Sequence, residues 1–121
     1  MGTAHQASRL VHRDGRYQTQ GPDLAAVGSM HGLVLLDFGT DWCGYCVTAR
    51  AAVDAWTGAR AGIAHHRIED GRGRPLGRAY RVKLWPTLVL LRDGQEVARA
   101  VRPRQPRDLC PLDDAAVQPA A

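Results

Sequence analysis

Two continuous apolar runs, Leu33-Val34-Leu35-Leu36 and Leu88-Val89-Leu90-Leu91, stand out from a chain that elsewhere mixes apolar and polar residues. An unbroken apolar run of that length reads as a strand buried on both faces. The first run leads into Asp37-Phe38-Gly39-Thr40-Asp41-Trp42-Cys43-Gly44-Tyr45-Cys46. Val47 to Trp56 follow without Gly or Pro, and they are Ala-rich enough to favour a helix. On that helix Cys46, Ala49, Val53 and Trp56 share one face, which makes a core-facing stripe. Gly58 is its stop.

The remaining elements are shorter. Arg9–Arg13 and Arg16–Thr19 flank Asp14-Gly15, a hairpin turn signal, so either both pieces are strands or only one is. Gly21-Pro22-Asp23 starts a helix, with Leu24, Val27 and Met30 at helical spacing and Gly32 at its end. Ile63–Ile68 has strand character and holds the adjoining pair His65-His66. Alternation along a strand lets at most one of the two point inward. Gly71–Pro75 is a loop, and Leu76–Tyr80 one helical turn or two. The second strong strand runs Leu84–Leu91, interrupted by Pro86. Asp93-Gly94 closes a hairpin to Glu96–Val101. Pro103, Pro106, Pro111 and Pro119 punctuate a tail with weak helix signals. The expectation is a mixed central β-sheet flanked by helices on both faces, of α/β class. It is a single domain over residues 1–121, with a core of about 17–101 and loose termini at 1–8 and 111–121.

Composition narrows the function classes. A chain of 121 residues with 45% hydrophobic content supports one packed domain. The net charge is +4, and Lys83 is the only lysine. The arginines are scattered rather than gathered in a stripe with interleaved aromatics, which argues against nucleic-acid binding. No apolar run approaches the ~18 residues of a membrane span, and residues 1–20 show no secretory signal. Three cysteines make no secreted disulfide framework. The expected location is therefore the cytoplasm.

The chemistry gathers at Cys43 and Cys46. Two cysteines two residues apart sit where a buried strand turns into a helix. Backbone N–H groups and the helix dipole stabilise a thiolate there, so the Cys43 pKa should fall below the free value of about 8.5. Cys46 lies one turn on, within reach for a disulfide. A carboxylate at Asp37, between Leu36 and Phe38 on a central strand, is costly unless it is paired or working. Zinc would need four ligands. Cys110 and His65 or His66 complete a set only on paper, so no metal and no bound cofactor are expected.

Taken together, these residues resemble the thioredoxin family. The resemblance rests on Val34–Phe38, Trp42-Cys43-Gly44-Tyr45-Cys46, Tyr80-Arg81-Val82, Trp85-Pro86-Thr87 with the run after it, and Asp93-Gly94. It implies that Cys43 is the attacking and Cys46 the resolving thiol of a redox-active disulfide, and that Asp37 moves the proton of the second thiol. It implies that Trp42 covers the pair, and that Gly44, Tyr45, Trp85 and Pro86 line the substrate groove, with a cis bond before Pro86. Several positions depart from the family pattern. Tyr45 stands where reductases carry proline. Gly39 stands where an aromatic is frequent. A family lysine falls near His65 or His66, and a family glycine falls close to Arg102.

The resulting expectation is a monomeric bacterial thiol–disulfide oxidoreductase that reduces disulfide-containing proteins and is itself reduced by a reductase or glutathione. Two alternatives stay open at this point. Tyr45 suggests a disulfide oxidase or isomerase. A non-catalytic interaction module would use the Trp85 groove and leave the cysteines idle.

Overall fold

A computed structural model describes residues 15–117. In chain order the elements are α1 (Leu24–Gly28), β1 (Leu33–Gly39), α2 (Gly44–Gly58), β2 (Ile63–Glu69), α3 (Pro75–Ala79), β3 (Thr87–Arg92), β4 (Gln95–Val101), a 3-10 turn (Pro106–Leu109) and α4 (Cys110–Val117). The four strands form one sheet in the order β2-β1-β3-β4. β1 and β2 are parallel and joined by the α2 crossover, while the β1–β3 and β3–β4 pairs are antiparallel. The two apolar runs are thus the two interior strands. Leu35, Leu36, Leu88, Val89, Leu90 and Leu91 are fully buried.

Alternation along the strands divides the core into two layers. Leu35, Leu88, Leu90 and Ala100 face α2 and the C-terminal helices, against Ala49, Ala52, Val53, Trp56, Leu109 and Leu112. Val34, Leu36, Phe38, Val89 and Leu91 face α1 and α3, against Val27 and Leu76. Both faces of the sheet are therefore interior. For this reason the expectation that only one of His65 and His66 points inward is corrected: they are 6% and 2% exposed, on opposite faces.

The ends differ from the sequence reading in two ways. The expected first strand is reduced to one parallel bridge, Gln18 with Ile68. Residues 1–14, which include the whole Arg9–Arg13 hairpin arm, lie outside the described residues. The tail expected to be loose from 111 onward instead forms α4 as far as Val117. Its prolines do not break it, because Pro106 and Pro111 occupy first-turn positions, where the missing N–H has no helical partner to lose. Leu109 and Leu112 are fully buried. Asp113 accepts a hydrogen bond of 2.7 Å from Trp56 Nε1 and pairs with Arg60. Arg92 Nη2 donates to the Ala115 carbonyl at 3.1 Å and the Ala116 carbonyl at 3.2 Å.

Candidate active site

β1 ends at Gly39, the chain turns through Thr40–Trp42, and α2 begins at Gly44. Cys43 is the N-cap of α2, with extended backbone (φ −83°, ψ 123°) and no side-chain capping bond. Its thiol sits among that helix's first N–H groups. Slight burial pushes the Cys43 pKa up. Hydrogen bonds from Cys46 and from the Tyr45 backbone, together with the charge of Arg102, outweigh this and hold it below the ordinary thiol value.

Cys46, one turn on, has the opposite environment. It is 1% exposed. Burial pushes its thiol up to about 12, with Cys43 adding to the rise and Thr40 and Tyr17 opposing it. Both residues are free thiols. One turn of helix thus separates a thiol biased toward the anion from one held protonated.

Beneath Cys46 lies a buried polar cluster. Asp37 is 1% exposed and projects to the α2 face of the sheet. Parallel register sets it beside Arg67, whose Nε donates to Asp37 Oδ2 at 3.0 Å. The His65 Nε2 lies 3.2 Å from the same oxygen. Arg67 also donates to Asp54 Oδ1 at 2.9 Å and to the Gly15 carbonyl at 3.0 Å. Burial alone would push the Asp37 carboxyl up, but His65 and Arg67 hold it below the usual carboxylate range. The other carboxylate oxygen, Oδ1, accepts from the Tyr17 hydroxyl at 2.9 Å.

Tyr17 occupies the space left open by Gly39. A Cβ on residue 39 would collide with Cys46 Sγ and come within 2.7 Å of the Tyr17 hydroxyl oxygen. The frequent aromatic of the family pattern is thus absent at position 39, and a tyrosine from the N-terminal segment reaches the same spot from another direction. Its hydroxyl interacts with Cys46 as well as with Asp37, and burial followed by those two neighbours raises its pKa.

The exposed rim is built from the other residues singled out in the sequence. Trp42 is 78% exposed and meets the edge of Trp85, with ring centroids 5.7 Å apart and planes at 79°. Trp85 Nε1 donates to Asp70 Oδ2 at 2.8 Å. The Trp85–Pro86 peptide is cis. Gly44 and Tyr45 lie exposed on the first turn of α2. Arg102 joins the two halves of the rim. Its guanidinium lies 3.8 Å over the Tyr45 ring and its Nε donates to the Trp85 carbonyl at 2.8 Å.

All eight residues picked out in the sequence therefore fall in or directly beneath one site. Tyr17 and Arg67 were missed. Arg67 had a signal: alternation in Ile63–Glu69 places His65 and Arg67 on one face, and parallel pairing puts that face beside Asp37. Tyr17 had none beyond the small residue at Gly39. The paper zinc set is not assembled: among the described residues no three His, Cys, Asp or Glu side chains are grouped to hold a metal. No helix among them is long and apolar enough to cross a membrane.

Comparison with known proteins identifies the family and the fold. The thioredoxin family model matches residues 24–112. The reduced form of thioredoxin 2 from Pseudomonas aeruginosa superposes with a TM-score of 0.75 and 41% identity, over 84% of this chain and 94% of that one. The thioredoxin of Chlamydia trachomatis is 37% identical over 71 residues, 58% of this chain and 69% of that protein. Thioredoxin-2 of Pyricularia oryzae is 27% identical over 89 residues, 74% of this chain and 52% of that protein. The chain matches only about half the length of the fungal relative (52%) and of a rice thioredoxin H2-1 (50%).

Proposed function

The chain belongs to the thioredoxin family, and from that membership we propose that it is a thiol–disulfide oxidoreductase that reduces protein disulfides. The observation that carries the reading is the opposite bias of the two thiols, with Cys43 lowered and Cys46 raised to about 12. A dithiol reductant needs that division, because one sulfur must attack as thiolate while the other waits as thiol.

In the first step Cys43 Sγ attacks one sulfur of a substrate disulfide. The substrate S–S bond breaks, one substrate sulfur leaves as thiolate and takes a proton from solvent, and a mixed disulfide to Cys43 remains. In the second step Cys46 gives up its proton and attacks Cys43 Sγ. The Cys43–Cys46 disulfide forms, and the second substrate sulfur leaves. Two electrons pass from the protein to the substrate. The Tyr17 hydroxyl stands between Cys46 and Asp37, which supports a proton route from the thiol through Tyr17 to the carboxylate. His65 and Arg67 keep Asp37 ionised, so it has a free site for a proton, although the same partners make it a weak base that holds the proton only in passing. Trp42, Tyr45, Trp85 and Pro86 are the surface on which a substrate would lie. The proposal includes a reducing cytoplasmic setting, a monomer, and re-reduction of the pair by a reductase or glutathione.

The test is a titration of the Cys43–Cys46 couple against a thiol–disulfide redox buffer, read by Trp42 fluorescence. A midpoint near the thioredoxin value of about −270 mV supports reduction of substrates, and one near −120 mV reassigns the protein as an oxidase. A Cys46→Ser protein should accumulate mixed disulfides through Cys43. If no reversible disulfide forms and no mixed disulfide accumulates, the redox reading fails.

A further inference from the structure

We propose that Arg102 makes this site select disulfides flanked by a carboxylate, so that its preferred substrates are acidic at the residue next to the target cysteine. The inference rests on the redox reading above and adds a substrate class to it. Three features of Arg102 converge. Its backbone is left-handed, with φ 51°, a conformation that strains a residue bearing a Cβ and that glycine would adopt freely. Such strain persists where the surroundings enforce it, and it clusters at functional sites. Second, the side chain is clamped. The guanidinium lies 3.8 Å over the Tyr45 ring and Nε donates to the Trp85 carbonyl at 2.8 Å. Third, its charge reaches the attacking sulfur, because Arg102 is among the groups that stabilise the Cys43 thiolate.

This clamp leaves the recognition end of the guanidinium unspent. Among the described residues no carboxylate pairs with Arg102, and neither Nη has a hydrogen-bond partner. The carboxylates nearby are engaged elsewhere. Asp37 is buried beneath the site with Arg67 and His65. Asp41 accepts from the Tyr17 backbone at 2.9 Å and lies 3.9 Å from Arg50. Asp70 accepts from the Trp85 indole. The rim beside Cys43 thus presents one oriented cation without a counter-charge. A disulfide whose sulfur reaches Cys43 brings its flanking residues to the rim that Tyr45 and Arg102 share. A guanidinium held in a fixed plane binds a carboxylate through two parallel N–H bonds.

The experiment compares three peptides of one sequence. Each carries a single cysteine in disulfide linkage to the same neutral chromogenic thiol, and the residue beside the cysteine is Glu, Gln or Lys. The reduced protein is mixed with each in stopped flow at low and high ionic strength. The expected order is Glu over Gln over Lys, with about a tenfold span at low salt that contracts at high salt. In Arg102→Gly, which relieves the backbone strain, the span should collapse toward one. Arg102→Lys should keep part of it. Removing Arg102 also changes the Cys43 thiolate, but that change is common to all three peptides and cancels in their ratio. Equal wild-type rates with Glu and Lys overturn the inference, as does a span that survives in Arg102→Gly. Failure to reduce any of the three peptides overturns the redox reading itself and is distinct from either result.

Discussion

His65 and His66 are neighbours on β2, 6% and 2% exposed, and the sheet sends them into two different interiors. His65 faces α2 and meets Asp37, which also holds Arg67 and Tyr17. His66 pairs in register with Leu36, on the α1/α3 face whose core holds Val34, Phe38 and Leu76, and among the described residues its Nδ1 has no hydrogen-bond partner. Burial pushes the His66 pKa down to about 4, with His65 adding to the fall. One face of the sheet therefore carries a satisfied charged network under the cysteines, and the other a neutral ring in an apolar layer. Buried charge is tolerated where several partners share it. Where it has none, the group gives up its proton instead.

The sharpest way to break the comparison is to remove the partner that makes the charged face tolerable. Arg67→Met leaves Asp37 buried with only His65 and Tyr17. Stability at pH 7 should fall by roughly 3–5 kcal/mol, as when one member of a buried pair is deleted. That is a large share of the 5–15 kcal/mol of a typical domain. The Asp37 carboxyl should rise from its depressed value. Asp37→Leu combined with Arg67→Met, which removes both charges, should recover most of the loss. Urea unfolding of the two variants reads both effects. A small loss in Arg67→Met, or no recovery in the double variant, would show that the network does not govern this face.

The opposite face should reveal itself in acid. Burial holds His66 at about 4 in the folded chain, against an ordinary histidine value of 6.5. Between those values the unfolded chain binds a proton that the folded chain refuses. The His66 contribution is thus fully present above pH 6.5, is lost as pH falls, and levels off below about 4, with a total of roughly 3 kcal/mol. Asp37 has a depressed carboxyl, so its contribution is lost mainly at lower pH, below the ordinary carboxylate value. In His66→Leu the slope between pH 6.5 and 4 should shrink by about one proton. An unchanged slope would place the acid sensitivity elsewhere.

The two faces were not equally legible in the sequence. The apolar runs gave away the interior strands, because only a strand covered on both sides keeps Leu33–Leu36 and Leu88–Leu91 free of polar residues. The Cys43–Cys46 spacing after such a strand gave away the site. What stayed hidden depends on pairing at long range. Arg67 meets Asp37 only through the β1–β2 register, and Tyr17 reaches Asp37 from a segment joined to the sheet by the bridge of Gln18 to Ile68. Alternation puts Arg67 on the face of His65, but only the register says that Asp37 meets it there, and the Tyr17 contact has no local periodicity at all. The tail misled for a different reason. Prolines count as breakers in a helix interior, yet Pro106 and Pro111 stand in first turns, and the buried pair Leu109 and Leu112 was the better signal.

The smallest change sharpens the link between the charged face and the cysteines. Tyr17→Phe removes one oxygen and leaves the ring that packs near Arg67. The hydroxyl donates to Asp37 at 2.9 Å, so its loss should cost about 1 kcal/mol of stability, the worth of one buried hydrogen bond. The kinetic effect should be selective. Attack by Cys43 on a disulfide does not involve Tyr17 and should keep its rate. Resolution by Cys46 loses the group between its thiol and Asp37 and should slow about tenfold, within the range for a positioned proton-transfer group. Single-turnover reaction with a fluorescent disulfide separates the steps, because the mixed disulfide forms in the first and disappears in the second. Slower decay of that intermediate with unchanged formation makes Tyr17 the bridge between Asp37 and the second thiol. Equal slowing of both steps would mean that Tyr17 only holds the N-terminal segment against the site, and that Cys46 passes its proton by another route.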